Sequence, residues 1–179
     1  MALTLLLGGA RSGKSALAVR LAATAAPRQR VVFIATAEAG DAEMADRIAR
    51  HRAERPAGWT TVEAPTDADG ALRAADPRAF VVIDCLTLWV ANLAAQQGCD
   101  EVLERARDTA ALAARRPGPT VAVSNEVGSG LVPFDPALRA WRDLLGSVNR
   151  IWADAAERAA LVVAGRALVL ESPEGLLGG

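Results

Sequence analysis

Lysine and histidine are almost missing from this chain of 179 residues, where 20 basic side chains include one lysine, Lys14, and the lone histidine is His51. An excess of either charge is missing as well, because those 20 basic groups face 21 acidic ones for a formal net charge of −1. The balance argues against a nucleic-acid partner, since affinity for a polyanion is built on clustered positive charge. Cysteine is scarce. Cys85 and Cys99 form no C-x-x-C pair, which excludes a disulfide scaffold and the usual zinc and redox sites and suits a reducing, cytoplasmic setting. No apolar run reaches the roughly 18 residues that a membrane-spanning helix requires. The segment from Met1 to Leu7 has no basic region before Gly8-Gly9 and does not read as a signal peptide.

Internal repeats, charge blocks and a Pro/Gly-rich linker are absent too, so a single domain over residues 1–179 is expected. With 51% of its residues hydrophobic, a domain of this length buries about 70% of its unfolded surface and needs neither metal nor disulfide to hold it. Short apolar runs mark strands at Leu3–Leu7, Val31–Ala35, Phe80–Ile83, Val121–Val123 and Leu161–Ala164. Helical spacing marks Ser15–Ala26, Asp41–Arg52, Ala68–Ala75, Leu86–Ala95, Glu101–Arg115 and Pro136–Ala160. Strands apolar on both faces, alternating with helices, imply an α/β fold with a doubly wound, mostly parallel sheet. The stretch Leu161–Leu170 breaks at Gly165-Arg166 with no room for a crossover helix, so it should close as a hairpin and add one antiparallel edge strand.

The segment Gly8-Gly9-Ala10-Arg11-Ser12-Gly13-Lys14-Ser15 matches G-x-x-x-x-G-K-[ST] between a strand and a helix, the context a phosphate-binding loop requires. Glycines let consecutive backbone N–H groups surround phosphate oxygens, and the helix N-terminus adds a favourable dipole. A chain that uses arginine for every cation but one keeps an ammonium at position 14, where a compact point charge reaches the β- and γ-phosphates. The Ser15 hydroxyl is the expected Mg²⁺ ligand. Phe80-Val81-Val82-Ile83-Asp84 supplies the second, with Asp84 at the carboxyl end of a buried strand; the alternative is that Asp84 merely caps the helix from Leu86.

A regulatory GTPase would read guanine with N-K-x-D, and the only lysine already sits in the phosphate loop; a transporter ATPase would carry an L-S-G-G-Q-like signature, which is absent. A kinase or nucleotidyl-transfer enzyme acting on a small molecule remains. On the helix expected at Asp41–Arg52, Met44 and Ile48 share one stripe while Arg47 and His51 share another. Arg47, Arg50, Arg52 and Arg55 surround His51 with positive charge, which disfavours imidazolium, leaves a ring nitrogen free as a nucleophile and suits a triphosphate. A solvated basic face is the alternative. Asn125 and Glu126 follow the Val121–Val123 strand, where α/β sheets collect ligands, and are candidates to line the substrate crevice; the alternative is a flexible loop made by Gly128 and Gly130. The four tryptophans, Trp59, Trp89, Trp141 and Trp152, are expected to pack in the core or between subunits.

The phosphate loop, Ile34-Ala35-Thr36-Ala37, and the Asp41-to-Trp59 segment with Glu43-Met44, Arg47-Ile48, His51 and Arg55-Pro56 closely resemble the bifunctional adenosylcobinamide kinase / adenosylcobinamide-phosphate guanylyltransferase family of cobalamin biosynthesis. So do Asp84-Cys85-Leu86-Thr87-Leu88-Trp89-Val90-Ala91-Asn92-Leu93, Ser124–Pro133, Arg139, Arg142-Asp143, Gly146 and Asn149. The resemblance implies phosphorylation of adenosylcobinamide by ATP or GTP, then transfer of GMP from GTP to give adenosylcobinamide-GDP and pyrophosphate. It implies that His51 carries a guanylyl intermediate and that Thr36, Ala37, Glu38, Arg52, Ala53, Glu54, Arg55, Glu63 and Asp84 bind GTP. It also implies a homotrimer. Two other readings stay open: a small-molecule kinase without the guanylyl step, and a regulatory module switched by nucleotide.

Overall fold

A computed structural model describes residues 3–25, 30–173 and 175. In chain order the elements are β1 (Leu3–Gly8), α1 (Lys14–Ala25), β2 (Val31–Ala35), α2 (Ala42–Ala53), β3 (Thr60–Glu63) and α3 (Ala68–Ala74). They continue with β4 (Phe80–Asp84), α4 (Leu86–Ala94), α5 (Cys99–Arg115), β5 (Thr120–Asn125), α6 (Pro136–Ala155), β6 (Arg158–Val163) and β7 (Arg166–Leu170). The seven strands form one sheet in the order β3-β2-β4-β5-β1-β6-β7. Only the β6–β7 pair is antiparallel, so the expected hairpin closes where the sequence placed it, through a turn at Ala164-Gly165.

Alternation explains why the inner strands read as continuous apolar runs. Val81 and Ile83 pack with α3 to α6 on one face, while Phe80 and Val82 pack with Ala18 and Ala22 of α1 on the other. Trp89 and Trp152 are wholly buried, and Trp59 and Trp141 pack at the core's margin. No described helix is long and apolar enough to cross a membrane.

Three expectations need correction. Strand β3 has no counterpart in the sequence reading, because its four residues are short and half exposed at the sheet edge. The long last helix stops at Ala155 rather than Ala160. Its Ala-rich continuation has good helical propensity, yet Arg158–Leu161 pair with Thr4–Leu7 of β1, and tertiary pairing overrides local preference. Helix α5 begins at Cys99, ahead of the expected Glu101, because Glu101 reaches back to the Gly98 N–H. Ala26, the expected last residue of the first helix, lies outside the described residues.

Candidate active site

Strand β1 ends at Gly8, and the chain then wraps into the first turn of α1. Gly13 takes φ +96°, where a side chain would strain the backbone, and a Cβ on Gly8 would fall inside contact distance of the Val162 carbonyl oxygen. Lys14 is buried, and its Nζ donates to the Gly9 carbonyl at 2.7 Å, which folds the ammonium over the loop. Ser12 Oγ is buried with no hydrogen-bond partner, a hydroxyl left over within a loop whose backbone and helix end favour an anion.

The Ser15 hydroxyl donates to Asp84 Oδ1 at 3.2 Å, bringing the start of α1 to the end of β4. Helix α4 takes Cys85 as its N-cap residue, with no side-chain cap bond, so the capping alternative for Asp84 fails. Burial raises the Asp84 carboxyl above its ordinary range; the Ser15 hydrogen bond opposes this, followed by the charges of His51, Arg55 and Lys14. The imidazole on α2, the guanidinium after α2 and the ammonium of α1 thus all act on one carboxylate. Ser15 and Asp84 offer adjacent hard oxygen donors, a fit for Mg²⁺, which takes few protein ligands and completes its shell with phosphate oxygens and water. Among the described residues no cluster of three His, Cys, Asp or Glu side chains could hold a metal by itself.

Asp84 is held from behind. Thr36, fully buried after β2, donates its hydroxyl to the Cys85 carbonyl and accepts from the Cys85 N–H, both at 2.7 Å, while its own N–H donates to the Asp84 carbonyl at 3.1 Å. Asn92 on α4 donates to the Thr36 carbonyl at 2.9 Å and the Pro65 carbonyl at 3.1 Å. The Thr36 hydroxyl therefore works on the backbone beside Asp84. A similar brace lies beside the phosphate loop. Asn149 Nδ2 donates to the Asn125 carbonyl at 2.9 Å, and Asn149 Oδ1 accepts from Ser124 Oγ at 2.6 Å. The Asn125 N–H donates to Thr87 Oγ1 at 2.7 Å, and the Glu126 N–H to the Gly8 carbonyl at 3.1 Å. The Glu126 carboxylate accepts from the N–H groups of Gly128 and Ser129 at 2.7 and 3.3 Å, giving its own loop a fixed start. Asn92, Thr87 and Asn149 carried no role in the sequence reading; polar residues among the apolar positions of α4 and α6 were the available signal.

Helix α2 buries none of its described side chains, and Met44 and Ile48 are only half-buried. His51 is half-buried near its end. The arginines expected around it divide. Arg50 Nε donates to its own helix at the Asp46 carbonyl, and Arg52 meets Glu63 of β3 at 3.4 Å, both exposed. Among the described ones Arg55 alone turns inward, 3.6 Å above the Phe33 ring, with Nη1 donating to Thr61 Oγ1 at 3.2 Å and Nε buried without a partner. Ala53 and Glu54 end α2 exposed, with Glu54 as its C-cap; Ala37 is half-buried and Glu38 exposed at the mouth after β2. The side chain of Arg47 lies outside what is described.

The sequence profile of the family described as cobinamide kinase / cobinamide phosphate guanyltransferase matches residues 4–170. A bifunctional adenosylcobalamin biosynthesis protein, CobP, from Pseudomonas aeruginosa is 43% identical over 171 residues, covering 93% of this chain and 96% of that protein. The protein CobU of the same description from Escherichia coli is 38% identical over 175 residues, covering 90% and 95%. Among solved structures, a KaiC-like protein from Pyrococcus horikoshii superposes with a TM-score of 0.53 at 16% identity, over 89% of this chain and 70% of that one, a likeness of fold alone.

Proposed function

The chain belongs to the cobinamide kinase / cobinamide phosphate guanyltransferase family, and from that premise we propose that it phosphorylates adenosylcobinamide with ATP or GTP and then transfers GMP from GTP through a guanylyl group on His51. The observation that carries this reading is the Ser15 hydroxyl of the phosphate loop donating to Asp84 at 3.2 Å, at a carboxylate that also feels the charges of His51, Arg55 and Lys14.

In the kinase step the loop from Gly8 to Ser15 cradles the triphosphate, and Lys14 leaves the Gly9 carbonyl to meet the transferring phosphoryl group. Ser15 and Asp84 would hold Mg²⁺, which when bound would neutralise charge on the phosphate oxygens. In the second reaction a ring nitrogen of His51 attacks the α-phosphorus of GTP: the P–N bond forms, the bridging bond to the β-phosphate breaks and pyrophosphate leaves. A phosphate oxygen of cobinamide phosphate then attacks the same phosphorus, the P–N bond breaks and imidazole is restored. Arg55, stacked on Phe33, is placed to stabilise the charge that develops on the leaving pyrophosphate. Thr36 and Asn92 hold Asp84 in position, while Ala37, Glu38, Arg52, Ala53, Glu54 and Glu63 form the mouth around the nucleotide. Asn125 and Glu126 support the substrate side.

We assign the protein to the cytoplasm, where nucleoside triphosphates are supplied, and to a homotrimer, as the family resemblance implies. Bare apolar side chains on the C-terminal hairpin, Val163, Leu168 and Val169, support association. Sedimentation should give three times the chain mass.

Incubation with GTP labelled in its α-phosphate tests the reaction. Wild type should acquire an acid-labile, alkali-stable adduct visible as a guanylyl mass increase, and His51→Ala should acquire none while keeping kinase turnover. Lys14→Ala should lose both activities. Absence of an adduct in wild type would refute the guanylyl-histidine route.

A further inference from the structure

The phosphate acceptor of this family is a flat macrocycle rimmed by carboxamides, too large for an enclosed pocket, and it must meet the nucleotide at the carboxyl end of the sheet. Beyond β5 at that end runs the loop from Glu126 to Asp135. Its start is tied to the phosphate loop through the Glu126 N–H on the Gly8 carbonyl at 3.1 Å. Its far end is fixed by Arg139 Nη1, which donates to the carbonyls of Pro133 at 2.9 Å and Phe134 at 2.7 Å, and by Asp135, which accepts from Ala137 and Leu138 at the head of α6. Between those fixed ends the apolar side chains point at water: Leu131 is 97% exposed, Val132 62% and Phe134 fully exposed, and Leu138 on the first turn of α6 adds a fourth at 56%. A loop pinned at both ends that still presents three bare apolar side chains is built to be covered.

A slot of about 450 Å³ opens beside it, between Gly128 and one stripe of α6 carrying Arg142, Asp143, Gly146, Ser147 and Arg150. Nothing lies within 4 Å of where a Gly146 side chain would begin, so the slot floor is bare backbone. Arg142 lies 3.5 Å from Asp143. Arg150, the other cation of the lining, pairs with Asp154 at 3.8 Å, so each guanidinium faces a carboxylate rather than making a field of one sign, which matches neutral carboxamides better than a free anion.

Resting on the substrate reading above, we propose that this loop and slot receive the corrin macrocycle. Leu131, Val132 and Phe134 cover its apolar face, and Arg142, Asp143 and Ser147 meet the carboxamides along one edge. The choice of cobinamide over a second copy of the chain follows from continuity: the loop that would bear it begins on Gly8, so a ligand seated there lies next to the phosphate that is transferred.

Equilibrium dialysis with cobinamide, read by its visible absorbance, tests the site on the full-length protein. The double variant Leu131→Ser/Phe134→Ser changes only exposed side chains, and Gly146→Leu fills the slot. Both should weaken cobinamide binding at least tenfold and raise its KM, with the KM for GTP, guanylyl labelling by GTP and the sedimenting mass unchanged. Unaltered cobinamide affinity in both variants would overturn the site. Unaltered affinity with a lower sedimenting mass would assign the surface to a second copy instead. A wild-type protein that binds no cobinamide would overturn the substrate reading along with the site, whereas binding that is equal in wild type and variants overturns the site alone.

Discussion

The Gly165 N–H donates to the Ser12 carbonyl across 2.8 Å, so the turn between β6 and β7 rests on the phosphate loop. Gly13 lies against the same turn: a Cβ there would be 3.2 Å from the Gly165 Cα, on a residue whose φ is +96°. Gly13→Ala should therefore lower stability by roughly 1–3 kcal/mol and weaken GTP binding, as a left-handed position is given to a residue that avoids it. Gly8→Ala should be worse, because the obstacle is the Val162 backbone oxygen rather than a side chain that can turn aside. Thermal unfolding and a GTP titration on the same samples would check both.

The Thr36 hydroxyl serves both the N–H and the carbonyl of Cys85. Thr36→Val keeps the shape and removes both bonds; the Cys85 carbonyl keeps the Trp89 N–H, but the Cys85 N–H is left unsatisfied at a cost of about 1–3 kcal/mol. Turnover should fall further than stability alone explains, since the Asp84 carboxylate is next in sequence, and the apparent affinity for Mg²⁺ should fall with it. Thr36→Ser retains the hydroxyl and should restore most of the activity. Equal activity in the Val and Ser variants would remove the positioning role.

The phosphate loop and Asp84 were legible because each is a contiguous run with one chemical purpose and a strand before it. The braces behind them were not. Thr36, Asn92 and Asn149 act on backbone groups 49, 56 and 24 residues away, and a polar residue among the apolar positions of α4 or α6 signals that a partner exists without saying which one. The cluster of arginines around His51 read as one field, yet Arg50 and Arg52 stay exposed while Arg55 turns inward, because Phe33 and Thr61 on β2 and β3 give it a ring to stack on and an oxygen to bond. Strand β3 escaped notice for the same reason: its pairing with β2, rather than its own four residues, makes it a strand.

The two thiols should differ in reactivity. Burial, with the Asp84 charge added, pushes Cys85 up to about 11, whereas Cys99 is exposed at the start of α5. At pH 8 Cys85 then holds about one thiolate in a thousand, and the thiolate is the reacting form. A disulfide reagent at pH 8 should titrate one thiol in the native protein and two in denaturant, with Cys99→Ser abolishing the native reaction. Rapid native labelling of Cys85 would contradict the placement of its side chain.

Asp84→Asn should separate stability from activity. Burial holds the folded carboxyl above its ordinary 3.8, so the folded protein binds this proton more tightly than the unfolded chain does. The ionised form therefore costs stability, a cost absent below 3.8 that grows as pH rises from there through the folded value. Asparagine stands in for the protonated acid and keeps an oxygen for the Ser15 hydroxyl. In the absence of nucleotide and Mg²⁺ the variant should melt above wild type at pH 7.5, with the gap closing towards pH 4. Its turnover in both reactions should fall by about a hundredfold or more, as the charge proposed to hold the cation beside the phosphates is gone. Adding GTP and Mg²⁺ together should reverse the order of melting temperatures, because wild type alone gains from the bound cation. A variant that melts below wild type without ligand would mean that His51, Arg55 and Lys14 outweigh the desolvation of the carboxylate, and that the ionised Asp84 holds this end of the sheet together even before nucleotide arrives.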